Sequence, residues 1–434
     1  MSEPLNLALL GCGTVGGGVA KLLHEQCEFL ARRAGRLLQL RHVVVRDLNK
    51  PRAVALQRDL VSTDIQAAIH DPAVQVVVEL IGGTGVAKEA VLEALAAGKH
   101  IVTANKAMLA LHGPEIYEAA RRAERSICFE ASVAGGVPVV ANLAQCLSAN
   151  QITFLQGILN GTSNFILTEM SEKGRTYAEA LAEAQSCGYA EADPTLDVDG
   201  SDAAHKLAIL AQLAFGVAVP PEAITRRGVA DVHEMDIRFA GELGHTIKLL
   251  AEAWLSEGQL ALQVAPVLLR RTTPLAQIRG TFNAIQVTGS IVGETLFYGP
   301  GAGALPTASS VLADIIDLAV GRAQRTFPSL KLWALKDARS ALRKAETVRS
   351  RFYLRLLVED RPGVLADVCR ALADEHVSIS SVIQHEGLDE HEGEVVPLVI
   401  ITHTALTGNF RAAAEHISRL PGVTAPSVFY SVAD

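Results

Sequence analysis

Apolar residues in this chain fall into short continuous runs separated by amphipathic stretches. Residues 5 to 10 (LNLALL) form one such run, and a helical pattern follows with Val19, Leu22, Leu23 and Leu30 on one face. Further apolar runs at 37 to 45, 74 to 81, 100 to 103 and 126 to 130 predict strands, and Ala-rich stretches at 86 to 97 and 114 to 124 predict helices. A strand that is apolar on both sides must be covered on both sides. Such strands alternating with helices predict an α/β unit with a parallel, doubly wound sheet.

The pattern changes after Pro138. It predicts a helix to about 147, a strand at 152 to 159 and helices at 162 to 173, 176 to 186 and 201 to 216. After the Pro220-Pro221 break, strand-like runs recur at 260 to 269, 282 to 289 and 291 to 298, which is α+β in character. A Gly-rich turn at 299 to 303 precedes an apolar helix over 307 to 320, expected to return to the first domain. From 322 to 350 the chain is polar, basic and weakly patterned, as in a linker.

Beyond Phe352 a new unit starts, with Leu354, Leu356 and Val358 alternating on a strand that Asp360-Arg361-Pro362-Gly363 turns. Helices over 363 to 375 and 409 to 419, with strands at 377 to 385, 394 to 403 and 423 to 431, complete a βαββαβ, ferredoxin-like order. The expected division is a dinucleotide-binding domain over 1 to 136 joined by 304 to 322, and a substrate and dimerisation domain over 137 to 303. A linker over 323 to 350 and a regulatory domain over 351 to 434 follow.

Composition narrows the class. With 434 residues the chain exceeds one compact core, and 49% hydrophobic with 20% charged residues marks it as globular. A net charge of -8 without a basic run argues against a nucleic-acid surface. The six cysteines (Cys12, Cys27, Cys128, Cys146, Cys187, Cys369) are scattered with no C-x-x-C pair, which argues against zinc or disulfides and for a reducing, cytoplasmic setting. No apolar run reaches the ~20 residues of a membrane span, and the N-terminus lacks the basic region of a signal peptide.

Gly11, Gly13 and Gly16 match G-x-G-x-x-G between the first strand and the first helix. That context makes the motif a dinucleotide turn: room for a tight bend, for pyrophosphate and for close helix packing, with Thr14 and Val15 opening the helix. At the end of the second strand stand Arg46, Asp47 and Lys50. The cations suit a 2′-phosphate and favour NADP, while Asp47 keeps NAD open.

Three clusters carry candidate chemistry, and none has a hydrolase pattern. Thr103-Ala104-Asn105-Lys106 ends an apolar strand where an open α/β sheet has its crevice, although a surface lysine opening a helix would look the same. Asn160-Gly161-Thr162-Ser163-Asn164 opens a helix, either as a cap or as an anion site. The densest runs from Gly188 through Glu191, Asp193, Asp197, Asp199 and Asp202 to Lys206. Asp202 and Lys206 stand at i and i+4, either an exposed ion pair or a proton-donating ammonium positioned by carboxylates.

These motifs resemble the homoserine dehydrogenase family. GCGTVGGGV, TANKAML, FEASVAGGVP, GILNGTSNFIL, GYAEADPTLDVDGSDAAHK and YGPGAGALPTASSV occur in the family's order over about 5 to 320. Cys12 departs from the bulkier residue often seen there but leaves the phosphate turn intact. The resemblance implies reduction of L-aspartate 4-semialdehyde to L-homoserine with NADPH or NADH, on the route to threonine, methionine and isoleucine.

It also implies site residues. Lys206 is then the proton donor and Lys106 its partner at substrate and nicotinamide. Glu191 binds the substrate amino group at the domain junction, and Asp197, Asp202, Thr162, Gly161 and Tyr189 shape the pocket. Gly303 closes over the cofactor. A sodium ion is implied at Glu130, Val133, Gly135 and Val137, largely through backbone oxygens.

The last unit (LRLLVEDRPGVLADVCRALADEHVSISSV) resembles an ACT domain, which implies L-threonine as an inhibitor. A homodimer or homotetramer is implied as well, and no aspartokinase segment is expected. Two rivals remain at this point. An acylating semialdehyde dehydrogenase would need a nucleophilic cysteine, with Cys128 the nearest candidate, and a non-catalytic amino-acid sensor would need no donor at all.

Overall fold

A computed structural model describes residues 3–52, 54–330, 332, 341–384 and 395–433. It divides into two compact units, the first formed by 1–161, 201–224 and 281–340 and the second by 162–200, 225–280 and 341–434.

In the first unit, the strands Leu5–Leu10, Leu38–Val44, Val61–Ser62, Val76–Glu79, His100–Thr103 and Ile127–Cys128 form a six-stranded parallel sheet. The order places Leu5–Leu10 at the centre, with the two next strands on one side and the last three on the other. The strand order reverses beside that central strand, so its C-terminal end opens the crevice in which such sheets bind ligands. The sheet is an α/β, Rossmann-type arrangement, as the apolar runs predict.

The apolar helix Ala304–Ala319 packs against Thr14–Glu25. Ala308, Val311, Leu312, Ile315 and Leu318 share one core with Leu7, Leu9, Val19 and Val78. Close approach depends on Gly18, where a Cβ would come within 2.7 Å of the Ala304 carbonyl oxygen. Also in this unit, the hairpin Phe282–Gly289 and Gly293–Pro300 pairs antiparallel with Ile152–Ile158. The helix Ser201–Phe215 is buried along almost its whole length.

The second unit contains a long hairpin of His245–Ser256 and Gln259–Arg270. Its second strand pairs parallel with the C-terminal strand Val428–Ala433, and that strand pairs with Arg349–Glu359. Val395–Thr402 and Ile379–Gln384 complete the sheet. Within the C-terminal module the strands therefore lie in the order fourth, first, third, second, with Val364–Asp374 and Thr407–Ile417 packed on it. This is the ferredoxin-like βαββαβ module, and its last strand is shared with the sheet of the rest of the unit.

Several elements differ from expectation. The helix expected at 114 to 124 starts earlier, as Lys106–Arg122, because Asn105 caps it and Pro114 lies inside rather than at its start. Glu234–Glu242 and His245–Ser256 have no counterpart in the sequence pattern; the strand mixes charged and apolar positions because Lys248 and Glu252 are buried with polar partners. Part of the expected linker is ordered: Arg322–Thr326 is helical, Phe327 is buried, and the Arg121 guanidinium donates to the carbonyls of Leu330 and Leu332. Residues 331 and 333–340, also assigned to that linker, lie outside the described residues.

Candidate active site

At the central strand's end, Gly11 has φ +97, and a Cβ there would sit 2.5 Å from the Leu80 carbonyl oxygen. A Cβ at Gly16 would overlap the Gly11 carbonyl oxygen, so both positions need glycine to let strand, turn and helix meet. Gly13 is the contrast: nothing lies within 4 Å of where its Cβ would be. That open space adjoins the start of Thr14–Glu25, which has no side-chain cap, so the first-turn N–H groups and the helix dipole face it. The cradle fits a pyrophosphate.

Arg46 and Lys50 are exposed at the end of the second strand. The Asp47 carboxylate accepts from the Asn49 N–H at 2.8 Å, which folds the loop on itself. Arg52 donates to the carbonyls of Leu48 and Asp47, and its charge acts on Cys12 beside the glycine turn. A third cation therefore stands at this end of the cradle, one the motif reading did not include.

Glu79, fully buried, ends the fourth strand of the sheet and accepts from the N–H groups of Ile81 and Gly82 and from the Thr103 hydroxyl at 2.6 Å. The Thr103 hydroxyl also accepts from the Asn105 N–H, and the Asn105 amide donates to the Gly83 carbonyl at 2.7 Å. This network ties the 81–83 turn to the 103–105 segment from which Lys106 emerges.

Lys106 Nζ lies 2.5 Å from Asp202 Oδ1. On the other side, Lys206 Nζ donates to Asp202 Oδ2 at 2.8 Å and to the Leu159 carbonyl at 2.6 Å. Asn160 Nδ2 donates to the same carboxylate at 3.0 Å. The reading of Asp202 and Lys206 as an exposed pair is thereby overturned, since they are only 5% and 8% exposed. Burial alone would raise the Asp202 carboxyl, but the Lys206 and Lys106 ammoniums beside it hold it well below the usual carboxylate range. A carboxylate anchored between two ammoniums is a device for presenting positive charge and a proton in a dry place.

Three comparisons address what such an arrangement belongs to. Residues 138–316 match the homoserine dehydrogenase family model, 11–130 the homoserine dehydrogenase NAD-binding domain and 352–421 the ACT domain. A homoserine dehydrogenase of Pseudomonas aeruginosa is 43% identical, covering 98% of each chain. The chain belongs to the homoserine dehydrogenase family. The crystal structure of a homoserine dehydrogenase from Thiobacillus denitrificans superposes with a TM-score of 0.92 at 42% identity, covering 99% of this chain and 98% of that one. A hyperthermophilic archaeal homoserine dehydrogenase in complex with NADPH aligns over 73% of this chain and 98% of its own, with a TM-score of 0.61 at 27% identity. Membership makes the protein an NAD(P)-dependent oxidoreductase with an ACT module. No single helix among the described residues is long and apolar enough to cross a membrane.

The remaining residues that the homoserine dehydrogenase resemblance marks fall in two places. In the second unit, the Thr162 hydroxyl donates to the Tyr189 carbonyl at 2.7 Å and the Ser163 hydroxyl to the Asp197 carbonyl at 2.6 Å. The start of this helix thus ties down the 189–197 loop, and Tyr189 stacks edge-on against Phe165. Glu191 is exposed, and its backbone carbonyl is held by Gln185. Gly161, in the first unit, has no room for a Cβ, which would come within 2.6 Å of the Thr281 carbonyl oxygen.

The second place is the loop 130–137, where Ala134 and Gly135 both have positive φ. Glu130, Val133, Gly135 and Val137 are all buried there. The Glu130 carboxylate is engaged with the N–H groups of Val140 and Ala141, and the Gly135 carbonyl accepts from the Ser310 hydroxyl at 2.7 Å. No group of three or more His, Cys, Asp or Glu that could hold a metal occurs among the described residues. With the Glu130 carboxylate taken up by backbone N–H groups, a hard cation here would have to be held by backbone oxygens. Gly303, with φ +124, precedes the helix Ala304–Ala319.

Burial, reinforced by the Asp314 and Asp317 carboxylates, pushes the Cys128 thiol well above its ordinary value, which disfavours the thiolate that a nucleophile needs.

Proposed function

We propose that this enzyme reduces L-aspartate 4-semialdehyde to L-homoserine with NADPH, using Lys206 as the proton donor. The buried pair of Lys206 and Asp202, with the half-buried Lys106 on the other carboxylate oxygen, carries this reading. When bound, the nicotinamide supplies the hydride to the aldehyde carbon. Lys206, pinned by the Leu159 carbonyl and Asp202, then delivers a proton to the carbonyl oxygen as negative charge develops on it. Asp202 remains ionised and holds the ammonium in place, and the low dielectric strengthens the attraction between ammonium and oxyanion. Lys106, whose side chain is 43% exposed, is assigned to the nicotinamide and substrate side. Glu191 is assigned to the substrate ammonium, with Asp197, Thr162, Gly161 and Tyr189 as further substrate contacts.

Arg46, with Lys50 and Arg52, supports NADP over NAD. Gly11, Gly13, Thr14, Val15 and Gly16 are assigned to the pyrophosphate and Gly303 to closure over the cofactor. A sodium ion on the backbone oxygens of Glu130, Val133, Gly135 and Val137 is part of the same proposal. So is the division into a nucleotide domain (1–136 with 304–322), a substrate domain (137–303), a connecting segment (323–350) and a regulatory domain (351–434).

L-Threonine is proposed as the ligand of the ACT module. A homodimer or homotetramer is favoured by an exposed apolar face on the 282–300 hairpin. There Phe282 and Tyr298 lie 5.1 Å apart beside Leu296, with Ile291 78% exposed at the tip. A cytoplasmic place on the route to threonine, methionine and isoleucine follows from this activity. Homoserine-dependent reduction of NADP, compared with NAD, tests the reading. Faster turnover with NADP supports it, and no change in either nicotinamide would leave only a sensor.

A further inference from the structure

Leu159 lies one residue beyond the strand Ile152–Ile158, where the ladder no longer orients its carbonyl. That carbonyl is nevertheless the second anchor of Lys206 Nζ, at 2.6 Å. Its remaining lone pair is taken by Asn283 Nδ2 at 3.1 Å. Asn283 is the second residue of Phe282–Gly289, is 1% exposed and belongs to the same unit.

The amide has one workable orientation. Rotating it would set Oδ1 against the Leu159 oxygen, two acceptors facing each other. With Nδ2 on Leu159, Oδ1 is buried and has no hydrogen-bond partner among the described residues. The amide is also clamped from the other side. A Cβ at Gly301 would overlap Asn283 Cγ, Oδ1 and Nδ2, so the turn at 299 to 303 lies flat on the amide. Asn283 and Gly299 are register partners in the hairpin below it.

An orphaned buried acceptor weakens the fold, and an apolar side chain would fill the space without that cost. What the amide contributes in return is its N–H on the Leu159 carbonyl. We propose that Asn283 is a positioning residue for the reduction: through the shared Leu159 carbonyl it fixes the direction in which the Lys206 ammonium is presented. Asn160 plays the matching part on the other anchor, donating to Asp202 Oδ2. This inference rests on Lys206 being the proton donor.

The test compares Asn283→Leu, Asn283→Asp and Lys206→Ala in the full-length enzyme. It reads single-turnover cofactor oxidation, both KM values and Tm. A small misplacement of a reacting group costs about tenfold to a hundredfold in rate. Asn283→Leu is expected to lose single-turnover rate by about that factor. Both KM values should stay near wild type and Tm should not fall.

Asn283→Asp is expected to be slow at neutral pH and to recover as the pH falls, because a protonated carboxyl restores a donor to Leu159. Wild-type rates in both Asn283 variants beside an inactive Lys206→Ala would overturn the positioning role alone. The same holds if activity falls only in step with Tm and without pH recovery. An active Lys206→Ala would overturn the donor assignment and this inference with it.

Discussion

Asp202 and Lys206, one helical turn apart, form a buried ion pair at 2.8 Å on a helix that is buried along almost its whole length. The same spacing on an exposed helix would contribute only about 0.3–0.5 kcal/mol. Here the environment changes its weight. Removing one partner leaves a buried charge uncompensated, which typically costs about 3–5 kcal/mol. Asp202→Asn is therefore expected to lower both stability and turnover. Because Lys206 and Lys106 depress the Asp202 carboxyl, its contribution is intact above the ordinary carboxylate range and is lost only as pH falls towards its depressed value. Wild-type enzyme should lose stability at acid pH through a term that Asp202→Asn lacks, as denaturant titrations across pH would show.

The glycine turn separates two kinds of glycine. Gly16→Ala, where a Cβ would overlap the Gly11 carbonyl, should lower Tm without any ligand present. Gly13→Ala has free space and should leave the Tm of the free enzyme unchanged while abolishing most of the thermal shift given by NADPH. Equal effects of NADPH on wild type and Gly13→Ala would remove the pyrophosphate from this cradle.

Cofactor choice depends on the cations at the second strand's end. Arg46→Ala is expected to raise the KM for NADPH about tenfold and to leave the KM for NADH within about twofold, the difference being a charge-assisted contact to one phosphate. Steady-state kinetics with both cofactors measures it. An equal change in both KM values would place Arg46 elsewhere.

His100 gives a pH signature independent of the site. Burial, helped by the Arg125 charge, lowers its pKa from 6.5 to about 4, and Nδ1 accepts the Ser126 N–H at 3.0 Å. The folded state thus holds the ring neutral while the unfolded chain takes up a proton. Stability should fall as pH drops from about 6.5 towards about 4. His100→Gln keeps an acceptor without titrating and should flatten that part of the profile in thermal unfolding.

In the C-terminal module, Arg355 bonds Asp236 through Nε at 2.6 Å and Nη2 at 3.0 Å, and the Tyr353 hydroxyl donates to the same carboxylate at 2.9 Å. Asp236 is fully buried and lies on Glu234–Glu242, outside the module. Arg355→Ala should cost about 3–5 kcal/mol, whereas Arg355→Met with Asp236→Leu should recover much of it. Chemical denaturation of the three variants distinguishes a coupled pair from two independent losses.

Much of this was legible in the pattern of residues. The parallel sheet, the glycine turn and the ferredoxin-like module have local signatures, namely apolar runs, fixed glycine spacing and alternation over Leu354, Leu356 and Val358. What escaped depends on distant partners. The strand carrying Lys248 has no sequence signature, because its charged residue is matched only by Asn164 and the Ile278 carbonyl, far away in the chain. The Ala-rich pattern predicts a helix from 114, yet the Asn105 cap sets its start eight residues earlier. Asn283 and Glu79 carry no motif at all. Their roles come from contacts to Leu159 and to the 81–82 turn that no sequence spacing encodes. Lys206 was singled out by its i, i+4 carboxylate, but its burial, which decides between an ion pair and a proton donor, needed the fold.

The central claim is that the buried Lys206 ammonium protonates the nascent alkoxide. Its most direct test is the single-turnover rate of NADPH oxidation by aspartate semialdehyde in Lys206→Ala, with NADPH affinity measured in parallel. The rate is expected to fall by about 10²–10⁴-fold, the range supplied by a positioned general acid, with NADPH affinity nearly unchanged. A Lys206→Ala enzyme with wild-type turnover would contradict it.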